Sequence, residues 1–239
     1  MGRGPLDIVA TTTKRMVMMH TLEQKIKAYD EQKQRQVPAP VLALMEEATR
    51  SLQASGLEQA ALGRGERMPD FALPDQHGVV RPLSHYLAEG PVLLNIYRGG
   101  WCPYCNMEMQ ALNAVLPALR ERGVNLIGMT PETPSSAQDT LTANGLAITV
   151  LSDEGNRVSA ELGLVFELPE ALRPIYAGFG IDIPASNGDE SFTLPVPASY
   201  IIGQDRTVHY HFINADYTRR VEPAALLAEL DRLAKAGAL

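Results

Sequence analysis

Apolar residues recur along this chain with two periods, and the change falls near Gly65. Before it, Leu22, Ile26 and Tyr29 make one narrow stripe at helical spacing, and Thr21 and Gln24 stand at the separation of a capping box. Pro38 and Pro40 end that helix, and Val41, Leu44, Met45, Ala48 and Leu52 define a second one that stops at Ser55-Gly56. Each helix has one apolar face, which must pack on the main body or on a second copy of the chain.

After Gly65, short apolar runs alternate with helical stretches. Residues 71–73 and 79–80 flank Pro74-Asp75-Gln76-His77-Gly78, the pattern of a hairpin. Residues 92–97 have the length and character of a buried strand. Leu112, Val115, Leu116 and Leu119 then continue one helix as far as Arg122, with Gly123 as its stop. Further strands are expected at 124–129, 148–151, 199–202 and 208–213, and further helices at 135–143, 157–162 and 223–236. Residues 164–194, rich in Gly and Pro, read as an insertion beside the site with one helix at 171–176. Alternating strands and helices imply an α/β domain with a central mixed sheet flanked by helices.

A chain of 239 residues holds one ordinary domain plus an extension. The division expected is a disordered tail over 1–18, a helical extension over 19–62 and the main domain over 63–236. A short organellar presequence, or a start at Met16, Met18 or Met19, are alternative readings of the first segment. Acidic residues outnumber basic ones 28 to 21, and the excess lies after residue 60, which argues against nucleic acid as the main partner. No apolar segment approaches membrane-spanning length, so no membrane association is expected and a cytoplasmic location is the default.

The chemistry concentrates in Arg98-Gly99-Gly100-Trp101-Cys102-Pro103-Tyr104-Cys105, between the 92–97 strand and a helix. In a helix's first turn, unpaired backbone N–H groups and the positive end of the dipole stabilise a thiolate, the nucleophilic form. Positions three apart face the same way, so a Cys102–Cys105 disulfide is within reach. So short a loop adds little stability, which points to redox use. A zinc ribbon would need a second ligand pair, and a haem attachment would need His where Asn106 stands. Inert buried cysteines are the plain alternative. The chain has two cysteines in all, in keeping with a reducing compartment, and no metal or cofactor is expected.

The element order resembles the thioredoxin fold, with Pro197 ahead of a late strand. The segment Gly65-Glu66-Arg67-Met68-Pro69-Asp70-Phe71-Ala72-Leu73-Pro74-Asp75 resembles the opening of the alkyl hydroperoxide reductase/thiol-specific antioxidant family, the peroxiredoxins. That resemblance covers residues 63–236 and points to the branch carrying CxxC. The family's Pro-x-x-x-Thr-x-x-Cys would put the peroxide-attacking sulfur on Cys105, with Cys102 at the Thr and Arg98 at the Pro. The Arg expected before the late strand is missing around Pro197, unless Arg98 takes its role. Laid on thioredoxin instead, Cys102 attacks, Cys105 resolves and Pro197 follows a cis bond facing the dithiol, while thioredoxin's buried acid falls on Ile96.

The resemblance implies a thiol peroxidase cycling between Cys102/Cys105 dithiol and disulfide, with a thioredoxin- or glutathione-type reductant. The alternative is a thiol–disulfide oxidoreductase acting on protein or small-molecule disulfides, and a third reading is a redox sensor or scaffold. Helix-end electrostatics favour Cys102, by position the more exposed sulfur, for disulfide exchange, whereas the family alignment favours Cys105 for peroxide. Arg98, Trp101, Pro197 and Glu132 are the residues expected to shape the site. Glu132 could relay a proton or be a plain loop carboxylate, and Trp101 could shield the site or fill the core. His209 and His211 share a strand face, too little for a metal site. The two N-terminal stripes suggest a homodimer or a seal over the domain.

Overall fold

The computed structural model describes residues 21–239, so the expectations for residues 1–18 fall outside the described residues. Three helices come first: α1 (Leu22–Gln36), α2 (Ala39–Ala54) and the short α3 (Leu57–Ala60). The capping box forms, with Thr21 Oγ1 accepting from Gln24 N and Gln24 Oε1 from Thr21 N. Strands β1 (Ala72–Pro74) and β2 (Val80–Pro82) make the expected antiparallel hairpin, and α4 (Leu83–Leu87) follows. Next come β3 (Val92–Ile96), α5 (Pro103–Ala114), α6 (Leu116–Glu121), β4 (Asn125–Thr130), α7 (Pro134–Asn144), β5 (Thr149–Ser152) and α8 (Arg157–Glu161). The insertion contributes β6 (Val165–Glu167), α9 (Arg173–Gly178), α10 (Ile183–Asn187) and β7 (Thr193–Pro195), and the chain closes with β8 (Ala198–Ile202), β9 (Val208–Ile213) and α11 (Pro223–Lys235).

The central sheet has the order β5-β4-β3-β8-β9, parallel among β3, β4 and β5 and antiparallel across β8 and β9. Strand β3 lies in the middle and is buried on both faces, which explains its unbroken apolar run. Val92, Leu94 and Ile96 join the core that contains the hairpin, α4 and α8, while Leu93 and Tyr97 join the core of α5, α7 and α11. The register sets Ile96 opposite both Met129 and Ala198. The segments after β3, after β4 and before β8 are therefore gathered at one end of the sheet's strands, and these carry Arg98 to Cys105, Glu132 and Pro197.

Two expectations need correction. The helix expected through Arg122 breaks at Val115, because Pro117 has no N–H to continue the ladder and its ring crowds the Asn113 carbonyl. The insertion carries more structure than one helix: β6 and β7 pair into a second antiparallel ribbon, and α10 follows α9.

Candidate active site

Strand β3 ends one residue before Tyr97, and the chain turns through Gly99 and Gly100 into α5. Both glycines are required by space: a Cβ at Gly99 would strike the Trp101 indole, and one at Gly100 would strike the Thr140 side chain. The turn is tied down by Asn106 Nδ2, which donates to Gly100 O at 2.6 Å, and by Gly100 N, which donates to Glu132 Oε1 at 3.0 Å. Cys102 is the N-cap of α5 and Cys105 lies in its first turn. Both are free thiols, and both have 0% exposure, so Cys102 is not the more accessible sulfur that its position suggests.

Each sulfur has its own arginine. Arg98 Nη2 donates to Cys102 Sγ at 3.3 Å, and Arg220 Nη2 donates to Cys105 Sγ at 3.4 Å. Burial alone would raise Cys102, but the Cys105 S–H bond and the charges of Arg98 and Arg220 outweigh it and hold the thiol well below its usual range. Burial, together with the hydrogen bond to Cys102 and the Cys102 charge, pushes Cys105 well above its range. The two shifts run in opposite directions, and the arginine beside Cys102 favours the thiolate there. Burial works against the Arg98 charge too, yet the Cys102 thiolate and neighbouring tyrosines more than restore it.

Aromatic rings frame Arg98. Its guanidinium carbon lies 4.2 Å from the Tyr217 ring centroid and 5.0 Å from that of Trp101, and Nη1 donates to Tyr176 Oη at 3.3 Å. Trp101 in turn meets Tyr176 edge-on at 5.8 Å, so it belongs to the wall of the site and joins the insertion to the dithiol helix. On the far side, Arg220 Nε pairs with Glu108 Oε2 at 2.7 Å, both side chains being buried. Burial raises Glu108 despite the opposing Arg220 charge.

Glu132 is 2% exposed, which removes the reading of a plain loop carboxylate. Besides the Gly100 N–H, its Oε1 accepts from Ser186 Oγ at 3.2 Å and Thr140 Oγ1 at 3.4 Å, and its Oε2 accepts from Thr130 Oγ1 at 3.3 Å. Pro197 lines the same cleft as Arg98, but no cis peptide bond occurs among the described residues. The expected cis bond is therefore wrong: Pro197 opens β8 through a trans linkage. His209 and His211 remain on the strand, and no cluster of metal-ligating side chains occurs among the described residues. Tyr176, Tyr217, Glu108 and Arg220 were not foreseen from the sequence. Arg220 and Tyr217 lie in the loop after β9, which returns to the site because Ile213 pairs with Ala198 at the end of the strands beside the dithiol.

The chain is similar to known proteins in sequence and in fold. The profile described as "AhpC/TSA family" matches residues 64–211. Peroxiredoxin Q, chloroplastic, of Triticum aestivum is 27% identical over 177 residues, covering 74% of this chain and 71% of that protein. Thiol-disulfide oxidoreductase ResA of Geobacillus kaustophilus is 30% identical over 102 residues, 42% of this chain and 58% of that protein. Among solved structures, Peroxidoxin BcpB from Mycobacterium tuberculosis superposes with a TM-score of 0.57 at 22% identity, covering 72% of this chain and 98% of that one. Xanthomonas campestris Peroxiredoxin Q gives a TM-score of 0.53 at 16% identity over 71% and 97%. The fold is the thioredoxin-like fold of these peroxiredoxins.

Proposed function

Because this chain belongs to the AhpC/TSA family, we propose that it is a thiol peroxidase in which Cys102 attacks the peroxide and Cys105 resolves it. The observation that carries this order is that Arg98, whose Nη2 lies 3.3 Å from Cys102 Sγ, lines the clefts at the site, whereas Arg220, 3.4 Å from Cys105 Sγ, lines neither and is paired with buried Glu108. A guanidinium there holds the attacking thiolate and lies where it can neutralise the oxygen that leaves. The Cys102 thiolate attacks one oxygen of ROOH, the O–O bond breaks, and ROH departs after taking a proton. Cys102 becomes a sulfenic acid. Cys105, relieved of its hydrogen bond to a thiolate, attacks that sulfur and water leaves, giving the disulfide. An external thiol of thioredoxin or glutathione type then reopens it.

These roles reverse the assignment that the family's Pro-x-x-x-Thr-x-x-Cys pattern would give. Cys105→Ser should retain a trappable sulfenic acid on Cys102 after one equivalent of peroxide, and Cys102→Ser should retain none on Cys105. Trapping in the second variant alone would return the peroxide-attacking role to Cys105. The similarity to ResA supports a second reading, disulfide exchange with Cys102 as the attacking thiol. Insulin reduction at a rate matching peroxide consumption would favour it. The zero exposure of both sulfurs supports the smaller substrate, peroxide.

This reading keeps residues 63–236 as the redoxin domain and 19–62 as its extension. It also keeps a cytoplasmic location, because a working dithiol needs reducing surroundings. Exposed Leu44 and Phe179 are the apolar surface a homodimer would use, but the faces of α1 and α2 are largely buried within the chain, which supports a seal, and sedimentation distinguishes the two.

A further inference from the structure

Two clefts meet at Arg98, and the N-terminal helices wall both. The larger, about 430 Å³, lies between α1 and the dithiol loop, with Tyr29, Lys33, Arg98, Trp101, Tyr104 and Tyr217 in its lining. The smaller, about 190 Å³, has Met45, Ala48 and Leu52 of α2 across from Arg98, Val196 and Pro197. Tyr29 of α1 packs edge-on against Tyr104, between the two cysteines in sequence, at 5.2 Å. The dithiol is thus roofed on both approaches by the chain's own helices. An attacking sulfur must come to bonding distance, about 2.05 Å, of a cysteine sulfur. A folded protein brings its dithiol on a broad surface, which α1 and α2 obstruct, whereas a small molecule needs only the cleft, which reaches Arg98 at 3.3 Å from the buried Cys102 Sγ.

The larger cleft also has a charge to satisfy. Lys33 Nζ is 3.3 Å from Tyr217 Oη and 3.4 Å from Tyr104 Oη, and it makes no ion pair among the described residues. Its neighbour Asp30 accepts from the Tyr104 hydroxyl instead. Asp30, Asp216 and Glu46 act on Lys33 from beyond ion-pair distance, so this half-buried cation, beside Arg98 and amid aromatic walls, still has room for a small organic anion at direct contact.

Resting on the dithiol reading above, we propose that the oxidised protein is reduced by a small thiol bearing a carboxylate, held on Lys33 in this cleft, and not by a protein dithiol. The thiolate of a first such molecule attacks Cys102 Sγ, the Cys102–Cys105 bond breaks, and Cys105 leaves and takes a proton. A second molecule attacks the outer sulfur of the mixed disulfide. Cys102 departs as the thiolate that Arg98 holds, and the two small thiols, having given up two electrons and their protons, become one external disulfide.

The test uses the full-length protein oxidised with diamide, so that peroxidase activity is not required. Trp101, the one tryptophan of the chain, adjoins Cys102 and reports reduction by its fluorescence. Glutathione should reduce the protein at least roughly tenfold faster than an equal concentration of a bacterial thioredoxin, and Lys33→Gln should slow glutathione roughly tenfold, the size of one lost charge contact, while changing 2-mercaptoethanol by less than about twofold. Thioredoxin outrunning glutathione, or Lys33→Gln affecting both small thiols alike, would overturn the proposal. Failure of diamide to form the disulfide would overturn it together with the dithiol reading. Failure of peroxide to oxidise a protein that glutathione still reduces would overturn the peroxidase reading alone.

Discussion

Arg98 is four residues before Cys102, close enough that the sequence could name it, yet only the turn through Gly99 and Gly100 brings its guanidinium back onto the sulfur. Removing it should let Cys102 rise toward the ordinary thiol value of about 8.5. Alkylation of Cys102 in Cys105→Ser, which keeps a hydroxyl to donate to the sulfur, should therefore show its inflection below the ordinary thiol range, and adding Arg98→Ala should shift that inflection upward. Peroxide consumption should drop by roughly one to two orders of magnitude, as for other groups that neutralise developing charge. Arg220 was invisible by the same reasoning: it is 115 positions from Cys105, and nothing local marks it out. Glu132 separates two roles. If it clamps the turn, Glu132→Gln keeps an acceptor for Gly100 and retains activity, while Glu132→Ala leaves several donors unpaired and costs about 2–4 kcal/mol in a urea melt. A proton relay would instead lose activity in the Gln variant. Burial raises Glu132, against the hydrogen bonds that lower it. The folded state thus holds that proton more tightly than the unfolded chain, and its contribution to stability declines as pH rises from the unfolded value of about 4.3 through the folded one. Glu132→Gln should flatten that decline.

Among the elements, those written in local pattern were legible: the central strand, the dithiol at its exit, the hairpin and the capped first helix. The break at Val115 was legible too, in Pro117, but helical spacing on either side concealed it. The β6–β7 ribbon was hidden because its three-residue strands carry no period long enough to read, and their pairing, Phe166 with Leu194, is non-local. What anchors α1 was equally non-local. Its first-turn N–H groups are met by Glu222, the N-cap of α11: Glu23 N donates to Oε1 at 2.6 Å and Leu22 N to Oε2 at 3.4 Å. A carboxylate at a helix N-terminus also answers the helix dipole. Glu222→Gln should loosen this latch by about 1 kcal/mol. The outcome expected is faster alkylation of the cysteines by a bulky maleimide, with the rate of a small reagent such as iodoacetamide unchanged. Equal acceleration of both would mean that the whole site, and not the latch, had been disturbed.

At the scale of the molecule, the question is whether the two amphipathic helices serve this chain or a second copy. Leu22 and Leu42 are buried within one chain, and Ile26 and Tyr29 pack against the dithiol-side core. Met45 and Ala48 pack against the insertion. Both stripes are thus largely consumed internally, on the two elements that flank Arg98, and a seal follows more directly than a dimer. The sequence could supply the stripes but not their destination, since either partner would satisfy the same apolar face. Deleting residues 1–60 exposes the surface these helices cover, including Tyr104, Tyr217 and the clefts at Arg98. Such a protein should melt several degrees lower. Its mass in sedimentation should fall by the deleted residues alone, and its thiols should become open to a protein dithiol that the full chain excludes. Halving of the mass would assign the helices to a dimer interface. An unchanged melt, with the thiols still shielded, would mean that the extension neither seals nor stabilises the domain, and that the burial of Cys102 and Cys105 comes from α5, the insertion and the loop after β9.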